Sequence, residues 1–492
     1  MSKKLWSYLN NAKDNNTFLH TLGVIDPIQA IQVSKYVNVI YISGWQCSTT
    51  STTNNETGPD FGDYPSNTVP DKVDLIFKAQ TFHDRKQQLE IYNNDNNDAG
   101  VLVDYMKPII ADGDSGHGGI SSVMRLMKMM IEKGAAGVHF EDQRASTKKC
   151  GHLSGKVLVS TREHIDRLIA ARLMCDILGT DTIIIARTDA EIANLIDNNI
   201  DERDHPFILG ASNPDVVNDD KAIRYLIDGA INKGESYKIS DIENEWTNKA
   251  KLCTYPELIS NKLKQMGLPH ERWDSVSSNM GINEMKKEAK RLLGYKDDNE
   301  LPYWCWECPR TREGYYRIRC GTKMCINRAK SFAPYSDIVW MEAKKPDYEQ
   351  ACQFTNGVRN ESICDKDILF GYNLFPSLYW DNCDSNNGCY NEDDVSSNSS
   401  HHTPGFGDHD EQQQQEQEED QADAEILNLD DENKGNMKAP PLIEHDDEEH
   451  DDEEIQQRQQ QQQGPRPSTS TGVEVNANKR IKRKKDKKKD KD

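Results

Sequence analysis

Short apolar runs recur along the first 380 residues, at 23–26, 39–45, 108–114, 137–143, 182–189, 337–342 and 369–377, and several end in a cluster of Ser, Asp, Glu, His or Arg. Between them lie amphipathic, helix-favouring stretches such as 120–133 and 162–178. Strand then helix, repeated, predicts a parallel sheet with crossovers. Runs that are nearly all apolar fit strands buried on both faces. Polar residues at the C-terminal ends of such strands are where a (β/α)8 barrel builds its active site. A doubly wound open sheet produces the same local pattern, so the pattern alone prefers the barrel only weakly. Seven runs are present, and a barrel needs eight. The expected fold class is therefore α/β, a (β/α)8-type barrel whose eighth strand is not found.

The gap between Asp189 and Asp337 is far longer than the roughly 30 residues of one βα unit, and implies an inserted subdomain. Its Asn, Asp, Lys and Glu content and the helical spacing at 222–231, 242–252 and 285–293 predict a helical insertion. The expected organisation is a first barrel part at 1–194, the insertion at 195–300, a second barrel part at 301–380 and a tail at 381–492.

Composition sharpens the last boundary. Of 60 Lys+Arg and 82 Asp+Glu in the chain, the tail holds 14 and 30, net -16, leaving 46 and 52, net -6, for residues 1–380. The tail is Asn-, Ser-, Gln- and acid-rich, a composition that cannot offset the entropy of ordering a backbone, so disorder is expected there. Nucleic acid is not an expected partner outside the basic block that begins at Lys479. No apolar run of spanning length and no apolar signal core after Met1 are present, so neither membrane insertion nor secretion is expected. The twelve cysteines are then thiols, metal ligands or catalytic groups rather than a disulfide scaffold.

Three constellations carry chemistry. In Ala111-Asp112-Gly113-Asp114-Ser115-Gly116-His117-Gly118-Gly119, two carboxylates alternate at a strand end before a glycine-rich turn, a pattern suited to Mg2+, which takes few hard oxygen ligands and keeps several waters. Glu141 and Asp142, and Glu342, end other strands, and carboxylates converging on one barrel mouth repel unless a cation sits among them. In Lys148-Lys149-Cys150-Gly151-His152, two ammonium groups stabilise a thiolate, making Cys150 a competent acid or base near neutral pH. Arg187 is a bidentate clamp for carboxylates, and a structural ion pair with Asp189 is the competing role. Together they describe a site for a polycarboxylate, a divalent cation and proton transfer by a thiol. Cys305-x2-Cys308 with Cys320-x4-Cys325 has the spacing of a four-thiolate zinc site, but the surrounding aromatics and arginines favour buried free thiols.

At these residues the sequence resembles isocitrate lyase, of the isocitrate lyase and phosphoenolpyruvate mutase superfamily. The similarity runs in order through Tyr41-Ile42-Ser43-Gly44-Trp45-Gln46-Cys47, the Gly58 to Pro65 segment, the Asp112 segment, Lys148 to His152 with Gly155 to Val159, Ile185 to Asp189, Pro309 to Tyr316, Ile326 to Ala329 and Trp340-Met341-Glu342. The insertion, including 201–210, is similar to that of the eukaryotic branch. The resemblance implies Mg2+-dependent cleavage of isocitrate to glyoxylate and succinate on a barrel that assembles as a homotetramer. It implies Cys150 as the catalytic acid and Asp112 as the Mg2+ ligand, with Asp60, Asp114, Glu141 and Glu342 in the water-bridged outer shell. Ser43, Gly44 and Trp45 would contact glyoxylate; Gly151, His152, Arg187, Asn373 and Ser377 would bind the rest of the substrate.

The chain departs from the family pattern at three places. Phe375 stands in Asn373-Leu374-Phe375-Pro376-Ser377 where a substrate-binding hydroxyl is expected, the tail begins where an eighth strand and further helices would follow, and the N-terminal helical segment is short, so truncation at both ends is expected. The readings kept open are an isocitrate lyase with impaired activity, a 2-methylisocitrate lyase, and a non-catalytic binding or regulatory relative. Cytosol is the expected compartment; eukaryotic members are often peroxisomal, but Lys489-Asp490-Lys491-Asp492 is not a Ser-Lys-Leu-type address.

Overall fold

Seven all-parallel strands form one sheet: β1 (Thr21–Gly23), β2 (Val39–Ile42), β3 (Ile109–Asp112), β4 (Gly137–Glu141), β5 (Ile183–Thr188), β6 (Ile338–Met341) and β7 (Leu369–Gly371). The structure is a computed structural model and describes residues 1–93, 102–149, 155–216, 222–360 and 368–374. Each strand pairs with the next in sequence, β1 through β7, with no reversal of order. A doubly wound sheet reverses its strand order at a switch point, so this winding is that of a barrel. Among the described residues there is no eighth strand, and β1 and β7 each have one neighbour in the sheet.

Every residue of β4, β5 and β6 is buried, as expected for strands covered on both faces. Side chains alternate between two environments. Ile40, Ile42, Ile109, Ala111, Val138, Phe140, Ile184, Ala186, Val339 and Met341 face the surrounding helices in the main core. Val39, Ile183, Ile185, Ile338 and Trp340 gather instead with Leu5 in a second cluster. Leu5 is fully buried there, so the helix Ser2–Asp14 presents its apolar stripe to the strands. Further along the same inward-facing rows come Asp112, Glu141 and Arg187, so the lining changes from apolar to charged toward the strand C-termini.

The first strand lies two residues before the expected run. Asp26-Pro27 starts a helix instead, Pro27–Val33, with the Asp26 carboxylate accepting from Gln29 N at 2.9 Å and proline tolerated in the first turn.

Between β5 and β6, helices Ile223–Asn232 and Ile239–Ala250 close around Trp246. Tyr255–Gln265, Glu271–Val276 and Ile282–Leu293 close around Trp273. Thr254 and Glu257 form a reciprocal capping box at the start of Tyr255–Gln265. The chain returns through Tyr316–Arg317, which pairs with Leu195–Ile196, itself paired with Val157–Leu158. No helix of the described residues is long and apolar enough to cross a membrane.

Candidate active site

The C-terminal ends of β2 to β6 converge on a buried charged cluster. β3 ends at Asp112, whose Oδ2 accepts the Gly44 N–H at 2.8 Å and whose Oδ1 accepts that of Asp114 at 2.8 Å. Gly44 opens the helix Gly44–Thr50, capped by Ser43 accepting from Gln46 N. A Cβ on Gly44 would meet Tyr64 Oη at 2.4 Å and Asp112 Oδ2 at 3.0 Å, so only glycine lets this backbone approach the carboxylate. Trp45 follows on the first turn, half-buried.

Strand alternation predicts that Asp114 points with Asp112, but the strand stops at Asp112 and Asp114 has a left-handed φ of 54°. Its carboxylate reaches the cluster through this turn, accepting from Tyr64 Oη at 2.8 Å. The Lys148 ammonium sits among three carboxylates: Asp60, Asp114 at 3.2 Å and Glu141 at 4.0 Å. Burial alone would raise the Asp114 carboxyl, but Lys148, then His117, hold it well below the usual carboxylate range. Burial outweighs Lys148 at Asp60, which is pushed up to about 6, and also raises Glu141. Lys148 itself is raised against its own burial by Asp114, Glu141 and Asp60, so it keeps its charge.

Arg187, at the end of β5, is the second buried cation. It donates to both Asp189 oxygens at 3.1 and 3.2 Å, lies 3.3 Å from Glu141 and 3.6 Å from Glu342, and stacks over Trp340 at 4.9 Å. The ion pair with Asp189 is therefore present, alongside contacts that bring Arg187 to Glu141 and Glu342. Asn373 Nδ2 lies 3.5 Å from both Glu342 oxygens. Cys150, Gly151, His152, Phe375 and Ser377 lie outside the described residues, as does the tail at 381–492.

Several participants are absent from the sequence-based candidates. His139 Nε2 lies 2.8 Å from Tyr41 Oη and 3.2 Å from Asp112 Oδ1; burial lowers its pKa to about 4, so it is a neutral ring there. Gln143 donates to Lys149 O at 2.9 Å and accepts from Lys149 N at 3.0 Å, holding the residue that precedes Cys150 in sequence. Lys156 Nζ pairs with Asp189 at 2.6 Å. Asp142 accepts from Arg328 at 2.9 Å, Thr188 Oγ1 at 2.7 Å and Asp189 N at 2.9 Å. Asp142 itself is legible as a strand-end carboxylate; its partner Arg328 is not, because periodicity alone assigns no partner to a residue on a helix.

Asp60, Asp112, Asp114, Glu141, Asp189 and Glu342 are six buried carboxylates, against the three buried cations Lys148, Lys156 and Arg187. Among the described residues no three Asp, Glu, His or Cys side chains form a ready-made metal cage. Mg2+ does not require one, since it binds through one or two carboxylates and retains waters. A carboxylate excess of hard oxygens thus fits Mg2+ and would be relieved by it.

A barrel-wound parallel sheet whose strand ends gather acids, a guanidinium and the Lys148 ammonium defines a (β/α)8-type enzyme site at the C-terminal face. The sequence matches the isocitrate lyase family across residues 1–393, and the chain belongs to that family, whose members are carbon–carbon lyases. It is 45% identical over 387 residues to an isocitrate lyase of Kluyveromyces lactis, covering 77% of this chain and 69% of that one. It is 42% identical over 390 residues to a mitochondrial 2-methylisocitrate lyase of Saccharomyces cerevisiae, covering 77% and 65%. A solved 2,3-dimethylmalate lyase of the same superfamily matches with 26% identity and a TM-score of 0.30, over 38% of this chain and 54% of that one.

Proposed function

We propose that the chain is an isocitrate lyase, cleaving isocitrate to glyoxylate and succinate with Mg2+. The observation that carries this reading is the pairing of buried Arg187, oriented by Asp189, Glu141 and Glu342, with the carboxylate excess around Asp112. Asp112 would hold Mg2+, with Asp60, Asp114, Glu141 and Glu342 around its water shell. When bound, the ion supplies Lewis acidity that polarises the substrate's hydroxyl and carboxylate oxygens.

The chain's own residues do the rest. Arg187 clamps a substrate carboxylate with a planar pair of N–H donors, beside Gly151, His152, Asn373 and Ser377. Ser43, Gly44 and Trp45 bound the glyoxylate end. As the carbon–carbon bond breaks, its electron pair moves onto the departing succinate, and the 2-hydroxyl gives its proton to solvent as glyoxylate forms. The Cys150 thiol delivers a proton to the succinate carbanion. Lys149 precedes that thiol in sequence and would bias its ionisation, while the Lys148 ammonium is taken up by Asp60, Asp114 and Glu141. Assembly as a homotetramer belongs to the same reading and is checked by light scattering of the purified chain.

The test is Mg2+-dependent release of the 2-oxo acid from isocitrate and, in parallel, from 2-methylisocitrate. The expected result is release from isocitrate that falls roughly 10²- to 10⁴-fold in Cys150→Ser. Preference for 2-methylisocitrate would move the assignment to that reaction, which the 42% identity to the yeast enzyme makes the second reading. A folded chain that binds Mg2+ and turns over neither substrate would overturn both, and leave a binding relative.

A further inference from the structure

Two thiols just after the insertion have no part in the lyase reading. Cys305 and Cys308 bracket a short turn, with their Sγ atoms 3.4 Å apart. A disulfide bond is about 2.05 Å long, so closure asks the sulfurs to approach by roughly 1.4 Å. The backbone already fixes both residues. Cys305 N donates to Ala211 O at 3.0 Å and Ala211 N to Cys305 O at 2.8 Å, while Ile223 N donates to Cys308 O at 3.3 Å.

The two sulfurs differ in access. Cys308 is buried with Ala211, Ile223 and Trp246 in a small apolar core, and Cys305 is half-buried at its edge. Burial, then Cys305, pushes the Cys308 thiol up to about 11. The buried Tyr303 hydroxyl lies beside both thiols. One reachable thiol backed by one screened thiol is the arrangement in which a first sulfur is attacked from outside and the second resolves it. The other cysteines of the zinc-like spacing are elsewhere: Cys325 is packed in the main core and Cys320 is exposed.

The turn also connects to the catalytic side. Glu307, between the cysteines, accepts from Arg310 at 2.7 Å and Tyr316 Oη at 2.9 Å. Tyr315 Oη accepts from Arg144 at 2.6 Å, and Arg144 N donates to Val157 O at 2.8 Å, close in sequence to Lys156, which pairs with Asp189.

We propose that Cys305 and Cys308 form a reversible dithiol–disulfide site whose oxidant is a small-molecule disulfide. Cys305 Sγ gives up its proton and attacks one sulfur of that disulfide; the first small thiolate leaves and takes up the proton. Cys308 Sγ then gives up its proton and attacks Cys305 Sγ, closing the protein disulfide and releasing the second small thiol. Two protein thiols are oxidised, and one disulfide is reduced to two thiols. Closing so short a loop removes little chain entropy, so the effect is local: the turn between Ala211, Ile223 and Tyr316 stiffens.

The test uses the full-length chain equilibrated with mixtures of glutathione disulfide and glutathione, quenched, alkylated and mapped by peptide mass. The expected result is that peptide 297–310 loses two hydrogens and its alkylation at both cysteines, reversibly, while exposed Cys320 ends as a mixed disulfide. Cys308→Ala is expected to trap a stable glutathione adduct on Cys305. In the oxidised wild-type chain, hydrogen exchange at Ala211, Cys305 and Ile223 is expected to slow several-fold. Full alkylation of both thiols under conditions that modify Cys320, or a mixed disulfide that persists on Cys305 in the unsubstituted chain, overturns the proposal. These readouts require no catalytic activity, so failure of the lyase reading leaves the test intact.

Discussion

Two regions of this molecule are equally buried and held by opposite means. Around Trp273, the insertion packs Tyr255, Ile259, Leu263, Met285, Ala289 and Leu293 with no charge inside. Around the strand ends, Asp60, Asp112, Asp114, Glu141 and Lys148 are buried as well. The first region is stabilised by removing apolar area from water. The second carries the desolvation of several ions, which mutual attraction only partly returns. The difference teaches that burial alone does not mark a stabilising core: the charged region is organised for chemistry and leans on the apolar packing elsewhere.

Removing one ion should separate the two regions most strongly. Lys148→Met leaves three carboxylates facing each other and is expected to cost about 3–5 kcal/mol in urea unfolding. Mg2+ should return part of that loss by binding the native state. Unchanged stability without Mg2+ would show that the ammonium does not balance the cluster. Met285→Ala in the insertion is expected to cost about 3 kcal/mol, and that loss should not respond to Mg2+. Thr254→Ala, which breaks the capping box, should cost about 1 kcal/mol by the same assay.

The smallest effect at neutral pH is expected at His164, which lies in the main fold away from both regions. Its ring is fully buried against Phe332, neither nitrogen has a partner, and burial, then Arg167, lowers its pKa well below the ordinary value. Such a ring takes up its proton only on unfolding, so stability is present above about pH 6.5 and lost as pH falls below it. His164→Leu should remove that part of the acid sensitivity while changing stability little at pH 8. An unchanged slope of unfolding free energy between pH 5 and pH 7 would count against it.

The seven strands were legible because strands buried on both faces must be apolar along most of their length, as in Ile183-Ile184-Ile185-Ala186. The first boundary was missed because Val24 and Ile25 extend the apolar run, although Asp26-Pro27 already belongs to a helix start. Asp112, Asp114, Glu141 and Arg187 were visible as strand-end polar residues. Tyr64, His139, Gln143 and Arg328 were not, because their partners come from distant segments, as when Arg328 meets Asp142 and Asp204.

The sequence by itself determined the elements and the types of group they deliver: period, apolar content and turn residues act locally, within a few positions along the chain. The order of motifs also carried the family, since many short matches in sequence need no geometry. Only the tertiary structure decided the winding, because a barrel and an open sheet share the same local pattern and differ in which strands meet. It alone decided that Lys148 sits among three acids, that Asp114 arrives by a left-handed turn, and that Cys305 and Cys308 touch while Cys320 and Cys325 belong elsewhere. Charge pairing and sulfur contact depend on distances across the fold, and those are set when the helices and the insertion close over the sheet.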